Sequence, residues 1–396
     1  MIIFEILKTQ LMKLSATFRL LAITSLFSQV AYAQIDPNNP DPGDLIGAQK
    51  AITTAVPFLA ISPDARHAAL GDAGVATSPD ANAAYWNAGK LAFIDKKYGG
   101  SLSYTPWLGK IVNDMWISSL TGFYKITREQ AVAVSLKYFD LGEISFRNEA
   151  NQPLGDFNPR ETALDATYSR MLSENLGVGV SARYISSNLT GAFSGSDAQT
   201  GRTVAADVGL FYTKQLQSAR NSTLSLGAQI SNIGGKISYT DNDNRDFLPT
   251  NLRLGGTFTS QLDPFNTITF ILDFNKLMVP TIDEGQTVLS GMFGSFSDAP
   301  GGGKEEIKEI MTSIGVEYWY QDIFAARLGY FNEAKEKGDR KYLTFGVGFK
   351  KNNFGFDGAY IVPTNQREHP LAETWRITLL LQIPNDRKEE SESVTD

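Results

Sequence analysis

The stretch Leu176-Gly177-Val178-Gly179-Val180-Ser181-Ala182-Arg183-Tyr184 decides the fold. On an extended chain Leu176, Val178, Val180, Ala182 and Tyr184 share one face, and Gly177, Gly179, Ser181 and Arg183 share the other. A period of two with one apolar face belongs to a half-buried strand. The alternation recurs at Leu164, Ala166 and Tyr168 against Asp165, Thr167 and Ser169, and at Leu224, Leu226, Ala228 and Ile230 against Ser225, Gly227, Gln229 and Ser231. Leu343, Phe345, Val347 and Phe349 repeat it against Thr344, Gly346 and Gly348. Alternation alone fits a soluble sandwich as well as a membrane barrel.

The connections discriminate. The pattern predicts fourteen antiparallel strands between Tyr98 and Ile383, each of roughly ten residues, the length a tilted strand needs to cross a bilayer. Linkers after the odd strands are long: 106–114, 140–160, 186–202, 232–249, 276–310, 332–340 and 363–372. Those after the even strands are short, as at Ser173-Glu174-Asn175, Tyr320-Gln321-Asp322 and Lys351-Asn352. A sandwich has no reason to sort loop length by parity, whereas an outer-membrane barrel keeps short turns on its periplasmic rim and long loops outside. The expected class is therefore an all-β transmembrane barrel spanning 98–383, with both termini periplasmic. Trp107, Trp116, Tyr124, Tyr138, Trp319, Tyr320, Tyr330 and Trp375 stand near the predicted strand ends, where amphipathic rings favour the headgroup level. The Gly-rich face leaves lumen space, and the Ala-rich residues 45–97 are the available plug, with a short helical or irregular piece expected over Ala81 to Lys90.

Upstream, Met12-Lys13 and Arg19 precede the apolar run Leu20 to Val30 and then Ala31-Tyr32-Ala33. A basic start, an apolar stretch and an A-x-A site form a secretory signal, so 1–33 is read as a signal peptide with an upstream extension, Met12 being the expected start. Residues 34–44 are Pro/Asn/Asp-rich and read as an exposed leader, and 384–396 as a charged, disordered periplasmic tail.

Composition excludes several chemistries. The chain has 36 Lys+Arg against 43 Asp+Glu, a formal charge of −7, with no basic stripe, so nucleic acid is not the expected partner. Without cysteine there is no disulfide, thiolate metal site, thiol nucleophile or lipidated cysteine. Only His67 and His369 remain, and no hydrolase or metalloprotease motif is present, so no enzyme activity, metal or cofactor is expected. Gly301-Gly302-Gly303-Lys304 lacks the remainder of a phosphate loop, and Asp241 to Asp246 lacks the glycine and terminal glutamate of a calcium loop. Glu305 to Ile310 is expected as a short helix in the longest loop.

The informative motifs lie in the plug: Val56-Pro57-Phe58-Leu59 through Asp64-Ala65-Arg66, Leu70-Gly71-Asp72-Ala73-Gly74, and Tyr85-Trp86-Asn87-Ala88-Gly89. Asp64 and Arg66 are placed to pair, and Gly71 and Gly74 permit tight turns against a wall. At these residues the chain resembles the PorV branch of the PorV/PorQ family, outer-membrane proteins of the type IX secretion system, itself similar to the FadL long-chain fatty acid transporters. The chain departs from the family at Asn87-Ala88-Gly89, where Asn-Pro-Ala is usual. The resemblance implies a fourteen-strand FadL-like barrel with an N-terminal plug. It also implies a carrier that takes cargo bearing a type IX C-terminal signal domain from the translocon to an attachment complex containing a PorU-like sortase. Asp64, Arg66, Gly71, Asp72, Gly74, Trp86 and Asn87 are the plug residues it marks. Within the 276–310 loop, Met292, Phe293 and Phe296 are expected to be exposed apolar anchors for a partner, with the 140–160 loop as a second contact. A FadL-type uptake channel for hydrophobic molecules is the alternative, followed by a structural envelope protein and a soluble secreted β-protein.

Overall fold

The computed structural model describes residues 51–109, 114–147, 151–189, 199–216, 221–240, 245–282, 285–365 and 374–384. The signal segment, the leader, residues 45–50, the acidic positions 241–244 and the tail beyond 384 lie outside the described residues.

Fourteen strands form one closed antiparallel barrel. In chain order they begin with β1 (Tyr98–Pro106), β2 (Trp116–Lys125) and β3 (Gln130–Asp140). A small hairpin, β4 (Ile144–Arg147) and β5 (Pro153–Phe157), then occupies the 140–160 loop, where no strand was expected. The barrel continues with β6 (Arg160–Met171), β7 (Leu176–Asn188), β8 (Gly201–Gln215), β9 (Thr223–Gly234) and β10 (Asn251–Asp263). It ends with β11 (Asn266–Leu277), β12 (Ile310–Tyr320), β13 (Phe324–Asn332), β14 (Lys341–Lys351), β15 (Phe354–Pro363) and β16 (Trp375–Ile383). β1 pairs with β16, Tyr98 opposite Ile383, which removes both sheet edges.

The faces are inverted relative to a soluble sheet. On β7, Val180 and Tyr184 are 52% and 47% exposed, whereas Ser181 and Arg183 are 5% and 6% exposed. The apolar face looks out and the small and polar face looks in, the arrangement required of a wall standing in lipid. Tyr104, Trp116, Tyr138 and Trp375 cluster at the long-loop rim, with ring centroids 5.3–6.0 Å apart. Tyr124 and Tyr320 are exposed near the other rim. Trp319 corrects the expected girdle. It shares the inward parity of Gly315 and Glu317, is buried, and packs against Lys350 at 4.3 Å. Trp107 likewise packs inside, 5.9 Å from Phe139.

The segment before β1 fills the lumen in short pieces: a 3-10 turn Pro57–Ala60, a helical turn Ala65–Ala68, another at Ala83–Trp86 and a 3-10 turn Ala88–Phe93. The helical or irregular piece expected over Ala81 to Lys90 is two short turns, divided where Asn87 is extended (φ −165°, ψ 109°). Ala55 N–H donates to the Phe247 carbonyl among the long loops, and Lys97 N–H donates to the Ile383 carbonyl at the short-turn rim. Both barrel ends therefore lie at the short-turn rim, but the described chain begins at the opposite one. The termini themselves, expected on the periplasmic side, lie outside the described residues.

Candidate functional site in the barrel lumen

Inward glycines make the lumen a mould for the plug backbone. A Cβ on Gly227 would stand 2.2 Å from the Val75 carbonyl oxygen, one on Gly179 2.3 Å from the Ala88 carbonyl, and one on Gly329 2.1 Å from the Gly71 nitrogen. Any side chain at these positions would displace backbone. Gly71 is itself left-handed (φ +70°), and its N–H donates to Thr344 Oγ1 at 3.0 Å. Gly74 passes under the Trp86 ring, where a Cβ would meet Cδ2 at 2.4 Å, and its N–H donates to Asp273 Oδ2 at 2.6 Å.

Charge holds the mould and plug together. Asp64 and Arg66 do not pair. Adjacent turns of chain aim them at different partners. Asp64 caps the turn Ala65–Ala68 by accepting from His67 N–H at 3.1 Å; its Oδ2 lies 2.7 Å from His67 Nδ1 and its Oδ1 accepts from Trp86 Nε1 at 2.7 Å. Arg66 makes a bidentate pair with Glu317 of β12 (2.9 and 2.8 Å) and donates to Asp80 at 2.9 Å. Glu317 is shared with Arg327, which also donates to Asp357 at 2.6 Å, so a chain of alternating charge runs from plug to wall. Asp72 accepts from Tyr342 Oη at 2.5 Å and lies 3.8 Å from Arg376. Asn87 Nδ2 donates to Val75 and Leu210 carbonyls at 3.0 and 2.8 Å, and its Oδ1 accepts from Gly89 N–H at 2.9 Å, which replaces the missing proline as the constraint on this turn.

His67 was not singled out from sequence. Its Nε2 lies 2.9 Å from Thr77 Oγ1, so Asp64, His67 and Thr77 stand in a row that superficially resembles a hydrolytic relay. Thr77 Oγ1 already accepts from Lys90 Nζ at 2.8 Å and lies 3.0 Å from the Gly74 carbonyl, and these side chains are buried. A substrate has no approach, and the row acts as a lock. Burial pushes the Asp64 carboxyl up, but His67 beside it and the bonds from His67 and Trp86 outweigh this and hold it well below the usual carboxylate range. Burial pulls the Lys90 ammonium down to about 8 against the attraction of Asp80.

Above the plug, on the long-loop side, lies a cavity of about 560 Å³ whose walls include Leu59, Tyr85, Trp86, Arg253 and Phe331. The 278–309 connection carries a helix, Val288–Gly294, and a second one, Gly303–Lys308, close to the short helix expected there. Phe293 and Phe296 are 69% and 45% exposed, joined by Leu289 at 62%. Met292 is buried at 3%, contrary to expectation, because the helical turn rotates it away from the exposed face of its neighbour Phe293. Asp298, Glu306 and Glu309 cluster nearby, yet Lys276 and Lys337 neutralise the glutamates and Asp298 accepts from Thr281 N–H, so the cluster is a salt-bridged loop anchor.

Three comparisons bear on identity. The family model described as Type IX secretion system protein PorV matches residues 46–284. No curated protein sequence matches. Among solved structures, the toluene transporter TbuX of Ralstonia pickettii is similar with a TM-score of 0.48 at 15% identity, covering 81% of this chain and 98% of that one. TodX of Pseudomonas putida gives 0.47 at 14%, covering 81% and 96%. A FadL homologue of Pseudomonas aeruginosa gives 0.43 at 12%, covering 84% and 99%. The family match takes in the whole described plug and the strands through β11, more than half of the chain. The protein therefore belongs to the PorV family and is an outer-membrane component of the type IX secretion system.

Proposed function

We propose that the protein is a carrier, accepting cargo with a type IX C-terminal signal domain from the translocon and delivering it to the attachment complex with its PorU-like sortase. In this reading residues 1–33 are removed on export, the long loops face outside and the C-terminal tail is periplasmic. The observation that carries it is the combination of a lumen filled by residues 51–94 with an apolar surface of Leu289, Phe293 and Phe296 among the long loops. A filled lumen suits a protein that holds partners at its rim, and clustered exposed aromatics are characteristic of binding surfaces. Deleting residues 288–303 abolishes cargo capture while the barrel still assembles. Capture at the normal level in that variant refutes the assignment of the surface. Deleting the gene and counting surface proteins that carry type IX signal domains tests the role itself; undiminished delivery refutes it.

The cavity of about 560 Å³ keeps a second reading, uptake of a hydrophobic molecule with the plug as a movable hatch. Growth on such a molecule then depends on the gene, whereas the carrier reading expects no such dependence.

A further inference from the structure

On the lipid-facing side of the wall, a cross-strand row of Phe354, Leu381, Gly100, Gly122 and Val134 runs from β15 through β16, β1 and β2 to β3. Phe354, Leu381 and Val134 are exposed, and the two glycines share the outward parity of the exposed Leu102 and Leu120. Two adjacent strands that both lack a side chain leave a dent in the wall. The resulting recess has a volume of about 960 Å³. It is open: a Cβ on Gly122 would meet no atom within 4 Å. The outward Gly256 differs, because it stands between Leu226 and Leu272, and Leu226 Cδ2 lies 3.1 Å from where its Cβ would be.

Tyr98 pairs with Tyr124 on the short-turn side of the glycines, and Leu102 pairs with Leu120 on the other side. From Tyr98 to Leu102 the strand advances about 13 Å, and less than that along the bilayer normal because barrel strands tilt. Half of a hydrocarbon core is about 15 Å thick, so the recess lies within the leaflet at the short-turn rim. At its foot Lys97 holds Nζ 4.9 Å from the centroid of the Tyr124 ring. Among the described residues no carboxylate lies within 4.0 Å of that ammonium. Every lipid-facing wall touches acyl chains, but a convex wall lets them exchange, whereas a recess contacts one chain on three sides. A lysine at the interface supplies the complementary charge for a phosphate. We infer that the recess holds a glycerophospholipid, with an acyl chain over Gly100 and Gly122 and the phosphate on Lys97. The leaflet rests on the proposed outward orientation of the long loops, which sets the short-turn rim among phospholipids and the other rim among lipopolysaccharide.

The test compares the exported protein, purified in mild detergent, with Gly122→Phe, Lys97→Ala and Val180→Phe, the last an exposed position on the same face away from the recess. Native mass spectrometry identifies the lipid that each retains, and heat-modifiable migration checks that each barrel is closed. The parent and Val180→Phe are expected to retain a phospholipid, and Gly122→Phe to lose it because the ring fills the recess. Gly122→Leu takes its place if phenylalanine prevents assembly. After delipidation, phosphatidylglycerol added in detergent micelles is expected to bind Lys97→Ala about fivefold more weakly than the parent, the worth of one lysine at an anionic headgroup. Equal retention by the parent and the folded Gly122 variant overturns the site, as does a loss just as large in Val180→Phe. A parent that neither retains a phospholipid nor binds phosphatidylglycerol also overturns it. Unchanged affinity in Lys97→Ala overturns the phosphate contact. Displacement of lipopolysaccharide by Gly122→Phe overturns the phospholipid assignment and the orientation with it.

Discussion

Replacing Arg66 by methionine releases the plug and leaves the barrel closed. Arg66 donates five hydrogen bonds: two to Glu317, one to Asp80, and one each to the Ser78 carbonyl and hydroxyl. Breaking a buried ion pair from one side costs about 3–5 kcal/mol because a charge is stranded. Here the stranding is partial, since Glu317 keeps Arg327 at 2.7 Å and Asp80 keeps the Asn82 N–H at 2.9 Å. The lower end, about 3 kcal/mol, therefore applies, and methionine retains most of the apolar packing. At 1.4 kcal/mol per tenfold, the undocked population rises by roughly a hundredfold. The assay is thiol reaction at Ala73→Cys, a fully buried plug position in a chain with no other cysteine, under native conditions in detergent. Heat-modifiable migration checks the barrel in the same samples. A labelling rate within threefold of the Arg66-containing parent, with the barrel intact, refutes the claim that this ion network holds the plug.

Gly227→Val places its Cβ against the Val75 carbonyl, so the plug becomes protease-sensitive while the barrel remains heat-modifiable. Phe293→Asp with Phe296→Asp lowers cargo capture at least tenfold without altering melting, whereas Met292→Asp, at a buried site, destabilises the loop by about 2 kcal/mol or more, read as earlier proteolysis within 278–309. Lys90 titrates near 8 when folded against 10.5 for the free side chain, so the folded state binds the proton less well than the unfolded one. Stability should then rise as pH passes from about 8 to about 10.5, by on the order of 3 kcal/mol in full, and be lost as pH falls through about 8. Lys90→Met removes that slope in thermal melts at the two pH values.

The wall was legible because its signals are local. A period of two names each face, and parity of loop length distinguishes a barrel from a sandwich before any contact is known. Even the inward charges are visible as Asp165, Arg183, Glu317 and Arg327 on the glycine-bearing face. Their pairing is not. Arg66 and Glu317 are 251 positions apart, and nothing local distinguishes that partner from Asp64, which was expected instead. Trp319 was assigned to the girdle by its nearness to a strand end, while its parity with Glu317 placed it inside. Met292 and Phe293 are equivalent as composition and opposite as geometry, because a helix turns between adjacent residues. The β4–β5 hairpin, held at Ser145 and Asp156 by a 2.7 Å bond, carries too few apolar residues to announce a strand.

One pair of contacts bears on the order of synthesis. Ala65 N–H donates to Thr378 Oγ1, and Arg376 donates to the Ser62 carbonyl, across 313 and 314 positions of chain. A segment that precedes every strand in the chain is thus finished by the last strand of the barrel. A chain ending before Trp375 would take Arg376 from the Ser62 carbonyl and Thr378 from the Ala65 N–H, and leave β1 with a bare edge. Completeness at one end is read out at the other, so a truncated chain fails as a whole and cannot persist as a leaky barrel with a seated plug.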